Sequence, residues 1–239
     1  MKIPILMYHQ IDVPPKRGTS LRGLIVAPSS FARQMALLRW LGYRGLSMRD
    51  LEPYLAGEKQ GKVVGITFDD GFQNNLQYAL PVLLKNGFTA TCYAVSQAIG
   101  GSNSWDLNLG IAQKPLMDAS DWRQWLKSGM EIGSHTRHHA DLKKMSHASA
   151  MPEIRGSKED LEAAFSCEVR HFCYPYGWFE DEHKAMVQAA GYRTATTTRR
   201  GRVSVPADPF ALNRIMVARA THLGLFVAKI LTGYEDRRT

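Results

Sequence analysis

Four times along this 239-residue chain, a stretch of helical periodicity runs into a glycine, then a large apolar side chain, then a β-rich segment. The instances are Leu41-Gly42-Tyr43, Asn86-Gly87-Phe88, Ser128-Gly129-Met130 and Ala190-Gly191-Tyr192. Glycine takes the left-handed conformation that closes a helix, and the residue after it is free to enter a strand. A chain assembled from such αβ units is confined to a parallel sheet covered by helices.

The segments between these stops agree. Residues 31–40, 74–85, 121–127, 150–165 and 181–190 read as helices by period and composition. Residues 3–8, 63–68, 89–95, 130–133, 169–174 and 194–198 are short and rich in β-branched, aromatic or apolar side chains, as strands buried on both faces require. That many βα units in one domain favour a closed or nearly closed β/α barrel over an open doubly wound sheet. No GxGxxG or Walker-type loop follows any strand, which counts against nucleotide binding. One domain over 1–239 is expected, with a C-terminal helix at 221–233 packed on it.

Composition narrows the class. With 44% hydrophobic and 22% charged residues the chain is of ordinary globular make-up. No apolar run approaches the roughly 18 residues of a membrane-spanning helix. The apolar stretch at 3–8 is too short for a signal peptide, so a cytoplasmic location is expected. Cys92, Cys167 and Cys173 form no CxxC pair, which argues against a disulfide framework and a cysteine zinc cluster; reduced, buried or half-buried thiols are expected. The formal charge of +8 favours an anionic partner. Its basic residues are dispersed, however, apart from short clusters at 199–202 and Arg237-Arg238, with no aromatic-interleaved basic stripe, so nucleic acid is not an expected partner.

In β/α barrels the chemistry sits at the C-terminal ends of the strands. On that rule Tyr8-His9, Asp69-Asp70-Gly71, His135-Thr136-Arg137-His138-His139 and Pro175-Tyr176-Gly177 share one rim. Asp-Gly is also a common turn signal, so the aspartate pair alone admits a turn. Two adjacent carboxylates at the end of an apolar strand nonetheless call for positive charge nearby, and one can bind a metal while its neighbour stays free as a base. His135 and His139 face the same way if the loop makes one helical turn; His138 and His147 suit solvated positions. Two histidines and one carboxylate form a facial set for Zn²⁺ or another first-row metal.

These residues resemble the motifs of the polysaccharide deacetylases, the NodB-homology domain of carbohydrate esterase family four. Thr67-Phe68-Asp69-Asp70-Gly71 is similar to the first motif, His135-Thr136-Arg137-His138-His139 to the second, and Phe172-Cys173-Tyr174-Pro175-Tyr176-Gly177 to the third. Leu6-Met7-Tyr8-His9 resembles the opening of bacterial members that deacetylate exopolysaccharides, and the likeness runs from about residue 3 to 217. It implies a distorted, TIM-like (β/α) barrel of about seven strands. It assigns Asp70, His135 and His139 to one divalent metal, zinc before cobalt, nickel or iron, and Asp69 to the general base. It also implies metal-assisted amide hydrolysis in which the metal and the Tyr176 backbone N–H hold the oxyanion. Pro175 and Tyr176 border the substrate; Trp178 and Trp105 are sugar-stacking candidates or packing residues, while Phe72 and the 223–231 stretch suit the core.

Two departures stand out. Many members carry an arginine that orients the base where this chain has Cys173, leaving Arg170 or Arg214 as substitutes. The late Leu-x-His motif, source of the general acid, is absent, so His9 on the same rim becomes the candidate acid, with His222 behind it. The expected function is removal of N-acetyl groups from N-acetylhexosamine units of a polysaccharide, glycolipid or precursor. The partner is thus a glycan or lipid-linked sugar, with peripheral membrane contact by 223–231 an option. A deformylase or amidase on another small amide, or a catalytically inactive carbohydrate-binding barrel, are the alternatives.

Overall fold

The computed structural model describes residues 2–237; Met1 and Arg238, half of the basic pair noted above, lie outside the described residues. Eight parallel strands form the main sheet: β1 (Ile5–Tyr8), β2 (Arg44–Leu46), β3 (Val63–Phe68), β4 (Thr91–Ala94), β5 (Glu131–Ser134), β6 (His171–Cys173), β7 (Thr194–Arg200) and β8 (Leu212–Met216). Seven of them close in the order β1-β8-β7-β6-β5-β4-β3, with β3 returning to β1 in register from Ile5↔Gly65 to Tyr8↔Phe68. The eighth, β2, lies on the other edge of β3 and ends at Leu46↔Gly65, just below Thr67↔Thr91, where β4 takes over that edge. This shared edge is the distortion. All six residues of β3 are buried, with no alternation, because helices cover the outside and side chains fill the inside.

The helices are α1 (Pro28–Trp40), α2 (Met48–Leu55), α3 (Leu80–Asn86), α4 (Ala119–Lys127), α5 (His147–Phe165), α6 (Asp181–Ala189) and α7 (Leu223–Leu231). The four glycine stops all take positive φ, at 79° for Gly42, 68° for Gly87, 82° for Gly129 and 80° for Gly191.

Several boundaries differ from the sequence reading, each for a local reason. α1 begins at Pro28, whose missing N–H costs nothing in the first turn. α4 begins at Ala119 because Asp118 and Asp121 form a reciprocal capping box, and Ser146 caps α5 from its own side chain. The expected helix at 74–85 is a π-type turn over Asn75–Ala79 followed by α3, with Pro81 in its first turn. The expected strand at 3–8 breaks at Pro4, and Lys2–Ile3 pairs instead with Val203–Ser204. The reading omitted β2, α2 and β8. The first two are short, and Asn213 and Arg214 disguise the third.

One aromatic stack ties barrel to helices. Tyr8 stacks on Phe68 at 5.6 Å, and Phe31 of α1 and Trp125 of α4 meet this pair edge-on at 5.2 and 6.0 Å. Such pairs add about 0.5–1.5 kcal/mol each beyond their buried area. α7 turns Phe226 and Ile230 into the core. Cys92 and Cys173 are buried, Cys167 is half-buried, and none is in a disulfide. Among the described residues, no helix is long and apolar enough to cross a membrane.

Candidate active site

The ends of β1, β3, β5 and β6 converge on one rim, and Asp69 and Asp70 leave β3 there, both buried. Asp70 has a φ of 74° and Gly71 one of 79°, a reversal that sends the two carboxylates in different directions. Asp70 turns to the histidines. Its Oδ1 lies 3.5 Å from His135 Nε2 and 3.4 Å from His139 Nε2. Burial works against its charge, but hydrogen bonding with His135 and His139 outweighs this and holds the carboxyl well below its ordinary range. Burial also lowers His139, favouring the neutral imidazole that binds metals.

The orientation of His135 is set by its other nitrogen. Nδ1–H donates to the Cys173 carbonyl at 2.7 Å, which leaves Nε2 facing Asp70. Burial works against the His135 charge, but Cys173 and the hydrogen bond with Asp70 raise its pKa well above the ordinary value, so Nε2 holds a proton against that carboxylate and gives its lone pair only to a metal that displaces it. His139 Nδ1 is buried without a hydrogen-bond partner among the described residues. Donor atoms of Asp70, His135 and His139 all lie within 4.8 Å of one another. A carboxylate with two imidazoles is a fitting donor set for zinc or another first-row divalent metal. A second trio, Asp69, His135 and Cys173, meets the same spacing. There, however, a buried guanidinium already occupies Asp69 and approaches Cys173, which leaves no role for a metal cation.

That guanidinium is Arg214 of β8. Its Nη1 and Nη2 donate to the two Asp69 oxygens at 2.6 and 2.8 Å, Nε donates to the Thr197 carbonyl at 2.8 Å, and Nη2 lies 3.2 Å from Cys173 Sγ. Burial would raise the Asp69 carboxyl, but the Arg214 charge and hydrogen bonds hold it below its usual value. Arg170, the other candidate substitute, pairs instead with Glu168 and Glu52 on the outside. His9, half-buried at the end of β1, places Nε2 3.9 Å from Asp69 Oδ2. His222 caps α7, where Nδ1 accepts from the Leu225 N–H at 3.2 Å, and it lines a pocket with Ser30, Arg33 and Gln34 rather than the one beside His9 and Asp70.

The loop after β5 is not the helical turn that the spacing of His135 and His139 suggested. Thr136 has a φ of 65° and His139 one of 56°, and this double reversal brings the rings together at 5.0 Å and 72°. The loop is clamped onto α5. Arg137 donates twice to Asp160, at 2.9 and 2.8 Å, and His138 meets Glu153 through both its backbone N–H and Nδ1. His138 and His147 are exposed, as expected. Asp160 and Glu153 were not among the sequence candidates, and no local motif marks them.

The aromatic candidates do gather here. Trp105 stacks on His139 at 4.5 Å, Tyr176 meets the same ring edge-on at 4.6 Å, and Trp178 stacks on Tyr176 at 4.8 Å. Pro175 and Phe72 are buried. Tyr176 has a φ of 60°, so four of the six left-handed residues other than glycine among the described residues, namely Asp70, Thr136, His139 and Tyr176, stand at this site. A groove leads away from His9 and Asp70 between residues 10–25 and 103–114. On its wall lies Asp106, also missed from sequence, which accepts from Asn103 Nδ2 at 2.8 Å.

Residues 56–195 match the family described as polysaccharide deacetylase. The chain is 31% identical to Bacillus subtilis YxkH, named as a polysaccharide deacetylase, over 91% of this chain and 72% of that protein. It is 27% identical to the poly-β-1,6-N-acetyl-D-glucosamine N-deacetylase of Staphylococcus epidermidis, over 76% of this chain and 65% of that protein. Among solved structures, the Streptococcus pyogenes deacetylase PplD in complex with acetate superposes with a TM-score of 0.84 at 27% identity, covering 96% of this chain and 98% of that one. A polysaccharide deacetylase from Bacillus cereus superposes at 0.80 and 29% identity, covering 96% and 69%.

Proposed function

This chain belongs to the polysaccharide deacetylase family, and from that premise we propose that it is a metal-dependent hydrolase that removes N-acetyl groups from N-acetylhexosamine units of a polysaccharide, a glycolipid or a precursor of either. The observation that carries the reading is the division of labour between adjacent carboxylates: Asp70 faces two histidines while Asp69 is held apart by Arg214. The named activity of the Staphylococcus epidermidis relative makes a β-1,6-linked N-acetylglucosamine oligomer the first substrate to try.

Asp70, His135 and His139 would hold the metal, zinc first. When bound, such an ion polarises the acetamide carbonyl and acidifies water. Asp69, kept ionised and fixed by the Arg214 fork, takes the proton of the attacking water. The Tyr176 N–H stabilises the developing oxyanion. His9, whose Nε2 lies 3.9 Å from Asp69 Oδ2, returns a proton to the departing amine. Trp105, Tyr176 and Trp178 offer ring faces to the sugar. Arg214 in contact with Asp69 weakens the case for an inactive carbohydrate-binding barrel, which rested partly on the arginine missing at Cys173.

Acetate release from that oligomer tests the reading. Asp69→Asn should lower kcat by about 10²–10⁴ with metal content retained, as loss of a general base does. Turnover at the wild-type rate in this variant would overturn the assignment. His9→Ala should lower kcat by about 10² or more, steeply for the sugar amine and less for an ester analogue whose leaving group needs no proton. Release of formate from an N-formyl sugar, with no acetate from any N-acetyl sugar, would move the activity to the deformylase alternative.

A further inference from the structure

Of the ten large apolar side chains exposed among the described residues, Val13 and Leu21 line the groove, Leu107 and Leu109 lie on the segment that supplies its other wall, and Tyr176 and Trp178 stack beside His139. The two aromatics belong to the sugar-stacking wall. The four aliphatics do not. Val13 is 71% exposed and Leu21 44% on one wall of the groove, and Leu107 is 62% and Leu109 68% exposed on the segment that forms the other. Clustered aliphatic exposure at a functional mouth marks a contact surface.

Charge separates the possible occupants. The wall that carries Val13 and Leu21 also carries Lys16, Arg17 and Arg22, with Arg219 held beside it by a 2.8 Å bond from its N–H to the Gly23 carbonyl. Among the described residues, none of these four cations forms an ion pair; Lys114, deeper in the groove, pairs with Asp12. Partial desolvation and the repulsion of Arg219 and Arg17 lower the Arg22 guanidinium, a sign of how closely the charges are crowded. A deacetylated product does not suit these four cations, because its ammonium groups are repelled there, and the neutral acetylated substrate gives them nothing to pair with. Phosphate suits them. Aliphatic tips beside unpaired Lys and Arg are the pattern by which proteins lie on the headgroup boundary of a bilayer.

We infer that the mouth of the site docks on an anionic lipid surface through Val13, Leu21, Leu107 and Leu109, with Lys16, Arg17, Arg22 and Arg219 on the lipid phosphates. The docked site then opens toward an N-acetyl sugar carried at that surface; this last step rests on the hydrolase reading, while the docking itself does not. It also shifts membrane contact away from α7, whose Phe226 and Ile230 face the core.

Flotation with equimolar phosphatidylglycerol–phosphatidylcholine vesicles, against pure phosphatidylcholine, tests the docking on the whole chain. Wild type and Asp69→Asn should both float with the anionic vesicles and release at high salt. Each lost cation should weaken partition about fivefold, so Lys16→Glu/Arg17→Glu abolishes it. Leu107→Ser/Leu109→Ser should weaken it about tenfold or more, while acetate release from the soluble oligomer stays at the wild-type rate. Acetate release without flotation, or flotation that survives both double variants, overturns the docking and turns attention to a protein partner for the rim. Flotation without any acetate release sinks the hydrolase reading and leaves the docking standing.

Discussion

Arg214→Met is expected to destabilise the protein by about 3–5 kcal/mol, because it leaves Asp69 as a buried carboxylate with no counter-charge. The guanidinium is fully buried and makes five contacts that no other side chain can supply: both Asp69 oxygens, the Thr67 hydroxyl, the Thr197 carbonyl and the Cys173 sulfur. For a chain of this length such a loss lowers Tm by roughly 10 °C. The diagnostic measurement is a double-variant cycle by urea unfolding. Asp69→Leu in the Arg214→Met background should recover most of the lost stability, since the pair then leaves no charge stranded. Arg214→Lys keeps the charge but not the planar fork, so it should keep more stability than the methionine variant and still lose kcat at least tenfold. Wild-type unfolding behaviour in Arg214→Met would show that the fork is not what holds Asp69.

Metal content is the second large effect. Wild type should bind about one equivalent of zinc or a similar ion, while Asp70→Asn and His139→Ala each lose it. The physical reason is the shared oxygen: both Nε2 atoms approach the same Asp70 Oδ1, so removing that carboxylate dismantles the set rather than trimming it. Added zinc should stabilise wild type by about 2.7 kcal/mol at a hundredfold excess over Kd and leave Asp70→Asn unmoved. Calorimetric titration of the chelated protein, followed by thermal melts, reads both. Full zinc occupancy in Asp70→Asn would remove this trio from the mechanism, and an inert wild type would remove the metal.

The barrel was readable because its repeating unit is local. A glycine after each helix and a continuous apolar run such as Val63–Phe68 report themselves within a few residues. The aspartate pair and the two histidines were readable for the same reason, since each sits at the end of such a run. His135 and His139 did converge, yet through left-handed Thr136 and His139 rather than through helical periodicity, so the outcome matched while the local conformation did not. What stayed open or escaped is what acts at a distance. Arg214 was named only as one of two substitutes beside Arg170, because it meets Asp69 across 145 positions from inside a strand whose Leu-Asn-Arg-Ile-Met pattern hides its burial, and Asp160, which grips Arg137 from another element, was not named at all. Neither neighbourhood contains a motif, because the contact exists only once the barrel has closed.

Left-handed backbone at Asp70, Thr136, His139 and Tyr176 has a meaning on the evolutionary timescale. Each such residue costs on the order of 1 kcal/mol that a relaxed conformation or a glycine would recover. On the proposed chemistry, that cost goes to the placement of the two rings, the carboxylate and the peptide N–H. A descendant released from the chemistry therefore gains stability by drifting at these four positions first, while its glycine stops and its core stay put. Among otherwise alike barrels, these positions act as a clock that starts when the reaction is abandoned.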